Sequence, residues 1–319
     1  MLNPGGSPRR TLTSMKYTRR DAAKLALASI PAARALAAPN SRINGVQIGV
    51  ITYSFRPLED IDQLVRTIAQ LGISEVELMS NAVEVFAGAP GAGFGVRGGP
   101  PQEQAARAEN LRKWRLSGSM DRFKPVRQKF DSAGIDLALL CFNMRDGNSD
   151  EEIDYAFRMA QTLGVRAITT STTVSMSKRI AAVADRYKML VGYHGHDQTS
   201  DPNEFATLES YGKAFEYSQY NGVNLDIGHF TASNYDAVAF IKEHHARITN
   251  LHLKDRKRNH GPNVPWGMGD TPLKDVLRLL KLEKYSFPGN IELEYPIPVG
   301  SDAAAEVAKC LKYCDQALA

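Results

Sequence analysis

Residues 222–258 decide the fold class, because they contain Asn224-Leu-Asp226-Ile-Gly-His229 followed by Asn250-Leu-His252-Leu-Lys254-Asp255. Each half is a short apolar run whose last residues change to carboxylate, imidazole and ammonium groups. In parallel α/β sheets the chemistry lies at the carboxyl ends of the strands, so polar residues there indicate a functional site. Two further runs end in the same way, Val191-Gly-Tyr193-His194-Gly-His196 and Asn290-Ile-Glu292-Leu-Glu294.

Strand-like and helix-like runs alternate along the chain from Val46 onward. The predicted strands are 46–53, 74–79, 135–142, 166–171, 188–194, 222–227, 247–253 and 289–295, and the predicted helices are 58–71, 119–133, 150–163, 175–186, 203–219, 234–245, 271–282 and 301–317. Eight such units in roughly 280 residues fit a closed (β/α)₈ TIM barrel in a single domain better than an open sheet. No glycine-rich phosphate loop follows the first strand.

The composition is that of a globular protein of 319 residues, 43% hydrophobic and 23% charged. The net charge of +4 arises at the N terminus, where residues 1–37 hold seven Lys/Arg against Asp21. The remainder carries 32 basic and 34 acidic residues, a net charge of −2. This balance lacks the basic footprint of nucleic-acid or anionic-membrane binding, so neither partner is expected, and a homo-oligomer is left open. Three cysteines, Cys141, Cys310 and Cys314, are expected to be reduced packing residues.

Residues 1–37 are typical of an export signal. Thr18-Arg19-Arg20-Asp21-Ala22-Ala23-Lys24 precedes the apolar residues 25–31, and Ala35-Leu36-Ala37 is a small-x-small cleavage site. The apolar run is too short to span a bilayer. The twin arginine resembles the signal of the twin-arginine route, although Ala22-Ala23 replaces the bulkier pair usual there. A periplasmic protein is therefore predicted, with residues 38–44 as a linker and 45–319 as the barrel; a basic, disordered tail is the alternative.

The second predicted strand and the segment after it bear on the barrel mouth. Alternation along residues 74–79 points Glu77 inward, where it contacts substrate or forms a structural salt bridge, because an unpaired buried charge is costly. Residues 81–117 are predicted to be one long irregular, glycine-rich loop over the site, with Trp114 anchoring its return; a plain linker is the alternative.

Four strand ends supply candidate metal ligands. They are His194 and His196, Asp226 and His229, His252, and Glu292 and Glu294. Residues two apart on a strand share a face, so His194 and His196 remain alternatives for the ligand on the fifth strand. With Asp226, His252 and Glu292 they form a mixed N/O site for one divalent ion, Mn²⁺ first, then Co²⁺, Mg²⁺, Fe²⁺ or Zn²⁺.

These motifs resemble the xylose-isomerase-like TIM barrels, a superfamily of sugar isomerases and epimerases, inosose dehydratases and endonuclease-IV-type nucleases. The marks of the likeness, over about residues 45–317, are Asp226-x-x-His229, His252 with Asp255 and Arg258, Pro265-Trp266-Gly267-x-Gly269 and a glutamate on the last strand. The resemblance implies that Asp226, His252 and Glu292 are metal ligands. It also implies that His229 and Arg258 contact substrate oxygens. Asp255, Trp266 and Glu77 are further candidates for substrate binding. The organisation is most similar to the secreted sugar phosphate isomerase/epimerase group.

The fifth strand departs from the epimerase pattern. Tyr193-His194-Gly195-His196 stands where epimerases carry a glutamate that is both ligand and base, and it is closer to the Tyr-His-x-His stretch of inosose dehydratases. The nuclease members place an Asp-x-His pair soon after the histidine of the seventh strand, and residues 260–270 lack one. A phosphodiesterase is therefore disfavoured.

The shared chemistry of the sugar enzymes is enolisation, in which a chelated cation acidifies the proton next to a carbonyl. Glu292, Glu294 or His196 is the expected base, and Lys254 or Arg258 is expected to stabilise the enediolate oxygen. We therefore predict a metal-dependent isomerase or epimerase acting on a keto sugar, keto-glycoside or keto-polyol. A dehydratase or lyase that expels a β-substituent is the close alternative, and a non-catalytic sugar-binding barrel is the remaining one.

The export signal can be tested by replacing Arg19 and Arg20 with lysine. The twin-arginine route requires the arginine pair, so the precursor should stay in the cytoplasm, as measured by cell fractionation and immunoblotting. Replacement of Arg9 and Arg10 by lysine is the matched control, with the same chemistry outside the motif. An unchanged amount of mature protein outside the cytoplasm would contradict this route.

Overall fold

A computed structural model of the chain describes residues 38–94 and 98–319. The predicted export signal lies outside these residues. Within them, nine strands form one sheet in sequence order, and the second strand also pairs with the ninth. The strands are β1 (Arg42–Ile43), β2 (Val46–Ile51), β3 (Glu75–Met79), β4 (Asp136–Cys141), β5 (Ala167–Thr170), β6 (Leu190–His194), β7 (Asn221–Asp226), β8 (Ile248–Leu253) and β9 (Gly289–Ile291).

Strands β2 to β9 pair in parallel and close into a ring. The predicted (β/α)₈ TIM barrel is confirmed, and each predicted barrel strand matches one of these eight. Strand β1 is antiparallel to β2, with Arg42 opposite Gln47. The stretch 38–44, predicted to be a linker, therefore adds a short strand to the sheet.

The helices surround the barrel. They are α1 (Ile61–Gln70), α2 (Ser80–Phe86), α3 (Pro101–Ser117), α4 (Lys124–Ser132), α5 (Asp150–Leu163), α6 (Val174–Tyr187), α7 (Leu208–Tyr217), α8 (Ile227–Ala232), α9 (Ala237–His244), α10 (Leu273–Glu283) and α11 (Ala303–Leu318). Helix α5 shows how local sequence sets the bounds: Ser149 and Glu152 form a capping box at its start, and Gly164 ends it in the left-handed conformation. No helix among the described residues has the length and apolar character needed to cross a membrane.

Two helices correct the prediction of one irregular segment over residues 81–117. Helix α2 follows β3 directly, and α3 begins with a proline at its first turn and continues in strong helix formers. Helix α3 buries none of its side chains fully, and Arg115 ties it to Glu84 at 2.7 Å and to Glu152 at 2.8 Å. The glycines that suggested a loop lie between the two helices.

The inside of the barrel is polar below the site. The amide of Asn290 donates to Glu75 at 2.7 Å, and Asn250 donates to Glu77 at 2.8 Å. Glycine at position 49 of β2 leaves the room that Glu75 occupies, since a Cβ there would lie 1.6 Å from its carboxyl oxygen. The apolar strand residues face outward and form the main core with the helices. The three cysteines are buried and unpaired.

Glu75 should make stability depend on pH, because burial raises its pKa to about 8 from an unfolded value of 4.5. Between these values the folded chain holds a proton that the unfolded chain has released, so the free energy of unfolding falls as pH rises. The Glu75→Gln variant has no carboxyl at this position, so its free energy of unfolding should not fall in this way. The difference in free energy of unfolding, variant minus wild type, should therefore rise by up to about 1.4 kcal/mol per pH unit between pH 5 and 8. Urea unfolding at several pH values measures it, with exposed Glu283→Gln as the control. If the free energy of unfolding depends on pH in the same way for wild type and Glu75→Gln, Glu75 is not a buried, protonated carboxyl.

Candidate metal centre

Four neighbouring strands bring His194, Asp226, His252 and Glu292 to one point. His194 and Asp226 are the last residues of β6 and β7, His252 lies in β8, and Glu292 directly follows β9. Asp226 pairs in register with His252, which pairs in turn with Asn290, so the ends of these strands lie level. One ligand atom from each of the four lies within 4.8 Å of the others.

The four converging atoms are buried and make no directed hydrogen bond with the described residues. They are His194 Nε2, Asp226 Oδ2, His252 Nδ1 and Glu292 Oε2. His252 Nδ1 lies 3.0 Å from Glu292 Oε2, and His194 Nε2 lies 3.4 Å from Asp226 Oδ2. A single buried polar atom without a partner is destabilising, and four that face one another are a ligand set for a cation.

The electrostatics of the centre also favour positive charge. The ammonium of Lys254 is buried and lies 2.9 Å from Asp226 and 2.8 Å from Glu292. Burial would raise the pKa of both carboxyls, but Lys254 outweighs it and holds each pKa below its usual range. Burial would lower the pKa of His252, yet the carboxylates of Glu292 and Glu77 raise it well above its usual value. One ammonium does not balance these carboxylates, so a divalent cation fits the centre.

Second-layer contacts fix both imidazoles. His252 Nε2 lies 2.7 Å from Glu77, and His194 Nδ1 lies 3.3 Å from the hydroxyl of Ser171. Such contacts orient ligand histidines and leave the other ring nitrogen for the metal. The structure places Glu77 beneath the centre with no exposure, where it contacts His252 and not the substrate side, in agreement with the alternative of a structural salt bridge. Alternation along β3 gave the face of Glu77 correctly but not its depth.

The Asp-x-x-His motif is explained by the start of helix α8. Asp226 is the N-cap of this helix, and its Oδ1 accepts the backbone N–H of His229 at 2.7 Å. Its other oxygen, Oδ2, is thereby left to face the centre. Position 228 is glycine because a Cβ there would lie 2.3 Å from the stem of Lys254.

The two candidate histidines, His194 at the end of β6 and His196 two residues beyond it, take different places. His194 enters the cluster, whereas His196 lies with its ring centroid 5.0 Å from that of His194. The Nδ1 atom of His196 is 2.6 Å from Glu204 Oε1. Its Nε2 is thereby left to the cavity that His196 lines.

A cavity of about 180 Å³ opens above the centre. Its walls include His196, His229 and Glu294, three of the residues predicted from the strand ends. Glu294 accepts a hydrogen bond from Lys254 at 2.6 Å, and its side chain is 22% exposed. The cavity thus places titratable groups directly above the ligand cluster. We call it the metal chamber.

Arg256 is a site residue that the sequence analysis missed. It is buried, and its guanidinium lies 2.9 Å from Asp197 and 2.5 Å from Nδ1 of His229. The hydrogen bond from His229 and the charge of Arg256 hold the pKa of Asp197 well below its usual range against the effect of burial. The sequence did contain a signal for Arg256. His252, Lys254 and Arg256 are spaced two residues apart, so an extended segment would place all three on the same face.

Three residues expected on the substrate side lie elsewhere. The carboxylate of Asp255 accepts backbone N–H groups of Gly267 at 2.8 Å and Gly269 at 2.9 Å, so it shapes the loop after β8. Arg258 is exposed, and its backbone bonds to the carboxylate of Asp270. Trp266 packs edge-on against Tyr313 in a separate cavity. Lys254 and Asp255 directly follow β8 in extended sequence, and Asp255 faces the opposite side from Lys254.

The fold and this cluster define a class of protein, a TIM barrel with a mixed His/Asp/His/Glu centre at the carboxyl ends of its strands. The family model of the xylose isomerase-like TIM barrel matches residues 59–314, and the chain belongs to this family. The resemblance seen in the sequence is confirmed. No match to a curated protein was found.

Solved structures share the fold at low sequence identity. A sugar phosphate isomerase/epimerase from Parabacteroides distasonis is 17% identical, with a TM-score of 0.57 over 86% of this chain and 95% of that one. The probable 3-DHS dehydratase AsbF from Bacillus anthracis is 13% identical, with a TM-score of 0.59 over 84% of this chain and 98% of that one. The IolI protein, solved with a zinc atom, is 16% identical, with a TM-score of 0.59 over 85% and 98%. At these identities the likeness concerns the fold.

The ligand set can be tested by metal content. Elemental analysis of protein purified without chelator should find about one divalent ion per chain, because the centre offers four ligand atoms to one cation. Asp226→Ala and His252→Ala should each lose it, since each removes one ligand. His196→Ala, beside the centre but outside the cluster, should retain it. Full occupancy in both ligand variants would show that the metal binds elsewhere.

Proposed function

We propose that the protein is a divalent-metal-dependent enzyme that enolises a keto sugar, keto-glycoside or keto-polyol. The observation that supports this most is the position of the four converging ligand atoms at the floor of a chamber that also exposes Glu294 and His196. The bound cation would polarise the carbonyl of a chelated substrate and acidify the neighbouring carbon. Proton transfer then falls to the residues of the chamber.

Glu294 is the proposed base. Its carboxylate lines the metal chamber, and the hydrogen bond from Lys254 at 2.6 Å fixes its orientation. A carboxylate in this position can take a proton from a carbon held above the centre. The ammonium of Lys254 lies among Asp226, Glu292 and Glu294, where it can stabilise negative charge as it develops on a substrate oxygen.

His196 is the proposed proton donor. Glu204 holds its Nδ1 at 2.6 Å, so that Nε2 is available to the chamber. His196 and Glu294 thus supply two proton-carrying groups of different chemistry. The pair can return a proton at a second position, which gives an isomerase or epimerase, the outcome we favour. It can equally protonate a leaving group, which gives a dehydratase or lyase.

The names of the structural neighbours support both outcomes, since they include a sugar phosphate isomerase/epimerase and a probable dehydratase. The lyase is favoured by the imidazole of His194 standing where epimerases carry a glutamate, because elimination does not need a second carboxylate base. Mixed nitrogen and oxygen ligation makes Mn²⁺ our first choice of metal. We further propose a small carbohydrate as substrate and the periplasm as the site of action, on the twin-arginine motif.

Deuterium exchange tests the proposed chemistry. Metal-loaded protein is incubated in D₂O with keto sugars and keto-glycosides, and NMR follows deuterium at the carbon next to the carbonyl. We expect incorporation with at least one substrate and a loss of about 100-fold or more in Glu294→Gln, because a general base contributes that much. Exposed Glu209→Gln is the matched control.

The products separate the two reaction classes. A deuterated stereoisomer or shifted carbonyl identifies an isomerase or epimerase, and an unsaturated product or a released aglycone identifies a lyase. Absence of exchange across the panel with metal bound would instead indicate a sugar-binding barrel.

A further inference from the structure

A second cavity joins the metal chamber. It measures about 160 Å³ and lies between helices α2 and α3, beneath residues 92–94. Met79, Asn143 and Arg145 line both cavities, so the two cavities adjoin one another. We call the second cavity the side chamber. Its volume is close to the 180 Å³ of the metal chamber, so each can take a group of similar size.

The side chamber presents polar groups whose hydrogen-bonding capacity is unused. Asn81 Oδ1 is buried and accepts no hydrogen bond from the described residues. The orientation of this amide is fixed, because its Nδ2 donates to the carboxylate of Glu59. A buried acceptor without a donor is unfavourable, and a ligand hydroxyl would satisfy it.

Two donors stand at the junction of the chambers. Asn143 Oδ1 accepts the backbone N–H of Ser171 at 2.8 Å, which leaves its Nδ2 as a donor with no acceptor in the described part of the chain. The guanidinium of Arg145 is exposed, and it makes no hydrogen bond or ion pair with residues 38–94 or 98–319. A group bound here would thus meet one acceptor and two donors, the pattern that sugar hydroxyls can satisfy from both sides.

Most of the charge on the described walls of the side chamber is already paired. Arg115 is already engaged, with Nε and Nη2 on Glu84 and Nη1 on Glu152. Of the described wall residues, Arg145 is therefore the one whose charge is not paired. Hydroxyl oxygens of a neutral ring can accept hydrogen bonds from its guanidinium.

The remaining walls are apolar. The ring of Phe94 lines the side chamber and contacts Tyr53 with ring centroids 6.0 Å apart, and Met79 and Leu111 complete this surface. Small-molecule sites combine such surfaces with a few placed polar groups. A sugar ring has the matching form, since its faces carry C–H groups and its edge carries hydroxyls.

We propose that the side chamber is a second substrate subsite, which binds a hydroxylated ring joined to the sugar held in the metal chamber. The preferred substrate is then a disaccharide or another glycoside with a polyhydroxylated aglycone. Asn81 and Arg145 determine this preference through the second ring. The inference rests on the proposed function for the assignment of the first ring.

Binding measurements test the subsite without relying on turnover. Isothermal titration calorimetry with metal-loaded protein compares lactulose, cellobiose, maltose and trehalose with D-fructose, D-glucose, D-galactose and glucose 6-phosphate. At least one disaccharide should bind about tenfold more tightly than either of its component sugars. Asn81→Leu and Arg145→Met should each weaken its binding about tenfold more than they weaken monosaccharide binding, since each removes one hydrogen-bonding partner of the second ring.

Arg158→Met, an exposed arginine of α5 away from both chambers, is the control and should keep the preference. Three results would overturn the subsite: no disaccharide preferred, a preference that survives both variants, or glucose 6-phosphate bound more tightly than every disaccharide. The proposed function fails separately. A protein that keeps the disaccharide preference but exchanges no deuterium has the subsite without the chemistry.

Discussion

A surplus of buried carboxylate charge at the carboxyl end of the barrel is the constraint on which the rest of the site depends. Asp226 and Glu292 are almost fully enclosed, and Glu77 lies below them with no exposure. Burying unpaired charge is costly, so each carboxylate must meet a cation or several donors. Lys254 provides one positive charge, and the four converging ligand atoms have the arrangement that suits a second cation.

The polar interior follows from this constraint. Asn224, Asn250 and His252 all direct a side-chain nitrogen toward Glu77, at 3.4, 2.8 and 2.7 Å. These contacts hold the carboxylate that orients His252, so the strand interiors below the centre act as its support. Substitution of such a second-layer carboxylate typically costs 10- to 100-fold in metal affinity. Polar side chains therefore occupy part of the barrel interior, where they hold the imidazole of His252 in place.

Much of this arrangement could be predicted from the sequence, because strand-end residues change character abruptly. The eight barrel strands and the convergence of His194, Asp226, His252 and Glu292 follow from short apolar runs that end in ligand side chains. Depth and loop geometry could not be predicted in this way. Strand alternation predicts that Glu77 points into the barrel, but it does not predict how deep in the barrel the side chain lies. The turn after β8 brings Arg256, and not Arg258, to the site. Glycines near residue 90 likewise obscured the helix formers of α3.

Anomalous diffraction from crystals grown with Mn²⁺ tests most directly whether one divalent cation binds the four converging atoms. We expect a single strong peak at the manganese edge within about 2.0–2.4 Å of His194 Nε2, Asp226 Oδ2, His252 Nδ1 and Glu292 Oε2, a range that spans nitrogen and oxygen ligands of divalent ions. A peak elsewhere, or none in well-diffracting crystals with excess Mn²⁺, would contradict it.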